Sequence, residues 1–378
     1  TLNRRKRIMI ISIVSRIPLV ALAALILMGT GQLSAQQLIS PHDVVGRENC
    51  SQCHVQEQKA WEQSSHNKNA WNNLDHPKAG EFAKAIGVTD VKGESACTQC
   101  HGTQQKIEDK FQVLQGNTCE SCHGGAGGDN GWLEKHYRFS EGQDAATKDM
   151  PALLELRKAE TADHRKARDQ ACSSSGMNRS GDVLSIAKNC LSCHLVANEK
   201  LLEAGHPISS KFELAEWSAG EVRHNFLLDS KTNAAAPSNW LGKTRNVTGR
   251  TVDGRKRLLM LAGKLADLEI SLTIRGAVTS TKRGSLGDEV NDRILDIKDD
   301  LEDDWELPGL EPVMEAIKDL SKKSLKDVTE DDGQTYAGVA KAVAAASKEF
   351  FQEYPDGTNL PDSVKIRSKV KGEPYQPK

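Results

Sequence analysis

The chain has 378 residues, 38% of them hydrophobic, 27% charged and only 4% aromatic. Its net charge of −2 conceals a basic start, because the first 35 residues carry Arg4, Arg5, Lys6, Arg7 and Arg16 and no acid, which leaves −7 on the remainder. That balance excludes a basic groove for nucleic acid, and so few aromatics leave a chain of this length short of flat apolar bulk.

The basic block Arg4–Arg7 is followed by an apolar run from Ile8 to Met28, interrupted by Arg16 and Pro18. The uninterrupted part, Ile17 to Met28, has the length of a signal-peptide core, with Ala35 as a small residue for cleavage. The whole run also reaches the length of a membrane span. Residues 1–35 are therefore predicted to be a signal peptide or an N-terminal membrane anchor, and either places the rest of the chain in the periplasm or otherwise outside the cytoplasm.

From residue 50 the sequence repeats one pattern four times: Cys50-Ser51-Gln52-Cys53-His54, Cys97-Thr98-Gln99-Cys100-His101, Cys119-Glu120-Ser121-Cys122-His123 and Cys190-Leu191-Ser192-Cys193-His194. Each is C-x-x-C-H, the attachment signature of c-type haem. Two thiols bond to the porphyrin vinyl groups, and the adjacent His becomes the proximal ligand of the iron. The four motifs use eight of the nine cysteines. Paired zinc sites would also use C-x-x-C but would not need a His after every second Cys, and a disulfide framework fits a two-residue gap poorly. Four covalently attached haem c groups are the expected cofactors, held by Cys50, Cys53, Cys97, Cys100, Cys119, Cys122, Cys190 and Cys193, with His54, His101, His123 and His194 as proximal ligands. Four porphyrins would also supply the missing flat bulk, so a domain over residues 36–240 is expected to have little regular core of its own, with Gly124-Gly125-Ala126-Gly127-Gly128 as a loop.

Seven further histidines remain: His42, His66, His76, His136, His164, His206 and His224. An iron used only for electron transfer takes a second axial ligand, and Met raises its potential relative to His. Only Met150 and Met177 lie in this region, so bis-His ligation is expected. His66 and His206 each follow a proximal His by 12 residues and His136 follows His123 by 13, which makes them, with His224, the distal candidates. His42 and His164 are weaker candidates, and His76 is weaker still. A His close in sequence to one motif is expected to serve a neighbouring haem.

Cys50-x-x-Cys53-His54 followed by Trp61, Ser64 and His66 resembles the opening of the cytochrome c554 family, within the wider multihaem group that includes hydroxylamine oxidoreductase and pentahaem nitrite reductase. Cys119-Glu120-Ser121-Cys122-His123-Gly124 with Trp132 and His136 is similar to that family's third motif, and Asn189 to Pro207 to its fourth. The resemblance covers about residues 41–228. It implies a mainly helical fold with haems in close pairs, distal ligands at His66, His136 and either His206 or His224, and a five-coordinate iron on His101. The chain departs from the family in its spare His42, His76 and His164. It has no C-x-x-C-K motif, and its haem count is below that of hydroxylamine oxidoreductase. Cys172, the ninth cysteine, is read as buried, reactive or paired with another chain.

Beyond about Thr251 there is no Cys and no His. Leu261, Leu265, Leu268, Leu272; Val290, Ile294, Ile297, Leu301; Leu310, Val313, Ile317, Leu320; and Val339, Val343, Ala346, Phe350 each recur at helical spacing. Breaks are expected at Gly284 with Gly287, at Pro308 and at Gly333. Residues 251–352 are therefore predicted to form an antiparallel four-helix bundle, a scaffold or homo-oligomer surface, and residues 353–378 a loosely ordered tail. The acidic run Asp299–Asp304 is read as a solvated face.

The fold class is mainly α, a tetrahaem cytochrome c domain followed by an antiparallel helical bundle. The expected function is electron relay between redox proteins, donor and acceptor cytochromes or a quinol oxidase. One alternative is an enzyme that reduces or oxidises a small nitrogen compound at one five-coordinate haem, and another is a haem subunit docked in a larger redox complex. No separate catalytic constellation is present.

Overall fold

In a computed structural model the chain is described from residue 39 to residue 364, apart from 94, 130, 145–148, 180, 210–211, 221–251, 279, 281, 303–306, 322–329, 356 and 358. The proposed leader, His224 and the expected boundary near residue 240 lie outside the described residues. The fold is mainly helical.

The first part is built from short helices. They include α1 (Val55–Gln63), α2 (Lys68–Asn72) and α3 (Pro77–Ala85). After the second motif comes an antiparallel hairpin, β1 (Gly102–Ile107) with β2 (Lys110–Gln115), in the register Gly102↔Gln115. Its turn passes through Glu108 at φ 52°, a conformation that non-glycine residues seldom take. Next come α4 (Met150–Ala159) and α5 (Ala162–Ser174), capped by Asp149 and Thr161, and then α6 (Val183–His194), capped by Asp182. Such caps satisfy N–H groups that the helix leaves without partners. Among its described residues this part has one small apolar cluster of its own, Ala126, Trp132 and Cys172 with Val45, Leu133 and Met177 against it.

The second part is organised by one long helix. After α7 (Leu214–Gly220) come α8 (Val252–Ala277), α9 (Leu286–Glu302), α10 (Glu311–Ile317) and α11 (Glu330–Glu353). α8 packs against α6, α7, α9 and α11, while α10 lies on α11. Leu258, Leu261, Leu265, Leu268 and Leu272 of α8 are fully buried, each adding about 1.5–3 kcal/mol of gross burial. Three of the four periodic stretches lie wholly within α8, α9 and α11, whereas of the third only Val313 and Ile317 fall inside α10. Gly333 does not break a helix, nor does Gly287, because both lie inside helices. A Cβ on Gly333 would stand 2.6 Å from the carbonyl oxygen of Gly276, and one on Gly276 would stand 2.8 Å from that of Gly333. These two glycines let α8 and α11 cross backbone to backbone.

The apolar core runs without interruption from α6 into the bundle, through Val183, Ala187, Leu191 and Leu195. The fourth C-x-x-C-H motif therefore ends a helix whose other face belongs to the bundle. Lys188 of α6 pairs with Glu269 of α8 at 2.7 Å. Of the tail expected beyond residue 353, Tyr354, Leu360 and Val364 are buried in this same core. No helix of the described residues is long and apolar enough to cross a membrane.

Candidate haem-binding site

A helical turn brings residues i, i+3 and i+4 to one face, which is the spacing of the two cysteines and the histidine in C-x-x-C-H. The motifs adopt that turn. His54 N–H donates to the Cys50 carbonyl at 2.9 Å and His101 N–H to that of Cys97 at 3.0 Å. The third motif is itself the helix Cys119–His123, and the fourth is the last turn of α6.

The structure brings three proximal histidines beside three of the distal candidates, each from a different motif. His54 and His136 have ring centres 6.0 Å apart, His66 and His194 6.1 Å, and His101 and His206 6.4 Å. Two imidazoles that hold one metal through nitrogens about 2 Å away put their ring centres roughly 6 Å apart. His164 instead has its Nδ1 3.0 Å from Glu160 Oε1. His76 caps α3, accepting from Lys78 N–H at 3.2 Å. His42 is exposed in the turn Pro41–Asp43.

The imidazole surroundings fit axial ligation. His101 Nδ1 lies 2.9 Å from the Ala70 carbonyl and His123 Nδ1 3.0 Å from that of Asn178. A bond of this kind fixes the tautomer and leaves Nε2 for a metal. Burial, reinforced by the charges of Arg168 and His54, holds the His136 pKa down to about 3. Burial and His66 bring His194 to about 4. Burial also lowers His101 and His123. The neutral ring is the form that binds iron. His136 Nδ1 is buried with no hydrogen-bond partner among the described residues, a costly state for a ring nitrogen unless another group reaches it.

The cysteines place the motifs relative to each other. Cys50 meets Cys119, and this contact together with burial raises its pKa. Cys100 meets Cys193 in the same way, and Cys122 lies near both Cys190 and Cys193. The motifs therefore follow one another in space in the order first, third, fourth, second. Among the described residues no three or more His, Cys, Asp or Glu side chains gather as a zinc ion would require.

Aromatic side chains wall the fourth motif: Phe212 stacks on His194 at 4.5 Å and 19°, and Trp217 stands at 5.7 Å. Met150 Sδ is 3.1 Å from Cys53 Sγ. Cys172 is fully buried, its thiol directed at the Trp132 carbonyl at 3.9 Å.

Sequence reasoning missed the groups that fasten the motifs together. Glu120, inside the third motif, is fully buried. It accepts from Val45 N–H at 2.9 Å, Gly46 N–H at 2.8 Å and Ala126 N–H at 3.0 Å. Burial raises its pKa against the opposing effect of these donors. It ties the chain entering the first motif to the third, and the one signal available was that it alone is charged among the x residues of the four motifs. Asn117 N–H donates to the His66 carbonyl at 2.9 Å, and its amide donates to the Cys100 carbonyl at 2.9 Å. Its own carbonyl accepts from Trp61 Nε1 at 2.6 Å.

Residues 49–124, which span the first three motifs, match the family model for cytochrome c554 and c-prime. No curated protein and no solved structure matches the chain. The similarity to that family is thus confined to residues 49–124, the segment that carries the first three C-x-x-C-H motifs.

Proposed function

We propose that this chain is an exported tetrahaem cytochrome that relays electrons between redox partner proteins through bis-His haems. The observation that carries this reading is the set of three imidazole pairs, each joining a proximal histidine to one that follows another motif. Haem c, when bound, supplies one-electron redox chemistry at each iron. The four cysteine pairs would hold four such groups, and His54 with His136, His194 with His66, and His101 with His206 are the residues that would bind the irons of three of them. His on both sides shuts small substrates away from the metal and favours low potentials. For His123 the remaining candidates are His42 and His224. The spatial order of the motifs gives a path from the first through the third and fourth to the second. The acidic remainder of the chain would steer a basic partner, with strong salt dependence. The basic and apolar N-terminal segment supports export.

The reading of an open iron on His101 is less well supported, since His206 stands opposite that ring. Docking into a larger complex remains a role for the helical bundle.

The pyridine haemochrome assay tests the count, with four haems per chain expected and fewer contradicting it. His206→Ala tests the pairing. The variant should gain one high-spin ferric haem and, when reduced, bind one carbon monoxide per chain. An unchanged spin state would remove His206 as a ligand.

A further inference from the structure

Two asparagine amides converge on one carbonyl at the junction of the third and fourth motifs. Asn178 Nδ2 donates to the Cys122 carbonyl at 3.1 Å, and Asn189 Nδ2 donates to the same oxygen at 3.2 Å and to the Ser121 carbonyl at 3.1 Å. Asn178 also grips the next residue from both sides: its N–H donates to the His123 carbonyl at 3.0 Å, and its own carbonyl faces His123 Nδ1 at 3.0 Å. Asn189 directly precedes Cys190, and Ser192 Oγ donates to the Asn189 carbonyl at 2.7 Å within the fourth motif. The two motifs therefore share one bracket of side-chain amides, beside the place where Cys122 nears Cys190 and Cys193.

We propose that Asn178 and Asn189 are positioning residues that set the separation and orientation of the third and fourth haems, and so the electron step between them. The proposal rests on the tetrahaem relay reading. An amide donor is suited to the task because it holds a backbone carbonyl without bringing charge beside the haems. A carboxylate of the same shape offers only acceptors and would repel that oxygen. Haem attachment depends on the C-x-x-C-H residues themselves, so loading does not require the bracket. The hydrogen bond at His123 Nδ1, which raises the basicity of a ligating imidazole, comes from the Asn178 main chain and is separate from this bracket.

The test uses the full-length holoprotein and its N189D, N189S and N178A variants. Asn198→Ala serves as the control, because Asn198 only caps the following short helix through Leu201 N–H at 3.1 Å. Haem content, magnetic coupling between haems by EPR, and the rate of electron redistribution after flash photoreduction are read on each sample. N189D is expected to keep four low-spin haems, to lose the coupling of one haem pair and to slow one redistribution phase several-fold. N189S, which shortens the side chain and adds no charge, should move the same signals less, and it replaces N189D if that variant loads poorly. N178A, which removes the amide to the Cys122 carbonyl but keeps the main-chain carbonyl facing His123 Nδ1, should move the same coupling and rate signals without shifting a haem potential. Four haems with unchanged coupling and rates in N189D and N189S would overturn the proposal alone. Fewer than four haems in the wild type would overturn the relay reading and the proposal with it.

Discussion

The two halves of this molecule solve the problem of a core differently. Between residues 252 and 364 the chain buries its own leucines, valines and phenylalanines around α8. Among the described residues between 39 and 182, the one apolar cluster is three buried residues with a few partners. There the described structure is short helices, a hairpin and loops held by polar bonds such as those of Glu120, Asn117 and Asn178. The haem region thus has the framework for holding cofactors but not the apolar mass to fold without them. The helical module has that mass, and through α6 it extends it beneath the fourth motif.

The largest expected effect separates the halves outright. Replacing the eight motif cysteines with serine, or producing the chain where haem is not attached, should abolish hydrogen-exchange protection in residues 39–182 and preserve it in α8 and α11, since ligand binding supplies the stability of the first region. Equal loss in both halves would mean that the module has no independent stability.

Next in size is a change within the module. Leu265→Ala removes a fully buried side chain from the centre of α8 and should cost about 2–5 kcal/mol in denaturant unfolding. The haem absorption of the first three motifs should stay unchanged. Gly276→Val acts where two backbones touch, with 2.8 Å available to a Cβ. It should cost about 1–3 kcal/mol as an overpacking substitution, seen as a lower unfolding midpoint.

The smallest effect lies in the haem region. Burial works to raise the Glu160 pKa, but hydrogen bonds from Arg168, His164 and Arg165 prevail and hold it down to about 2, against an ordinary 4.5. A carboxyl lowered on folding stabilises fully above its unfolded value, and that contribution fades as pH falls through the folded one. The advantage of the wild type over Glu160→Gln should therefore be constant above about pH 5 and shrink toward pH 2, measured as unfolding midpoints at several pH values. An advantage that grew on acidification would reverse the sign.

Much of this was legible in the sequence, and the limit has a physical origin. C-x-x-C-H is local chemistry, so the four motifs could be read directly, as could the periodic leucines of the module, because one helix face must be apolar. The match of His54 with His136, or of His66 with His194, is tertiary: each pair spans more than 80 residues, and no local pattern records it. The hairpin was missed because its turn, Glu108-Asp109, lacks the Asn or Gly that announces such a turn. Gly333 misled because a glycine that lets helices approach is written with the same letter as one that ends them. α6 looked like part of the haem region because it ends in a motif, although Val183, Ala187 and Leu191 face the bundle.

The central claim is a relay in which histidine closes both faces of each iron, and one spectrum tests it most directly. An EPR spectrum of the oxidised holoprotein, with carbon monoxide binding measured on the same sample after reduction, should show only low-spin haem and no carbon monoxide adduct. A stoichiometric high-spin haem that binds carbon monoxide would contradict the relay account and move the chemistry to one open iron.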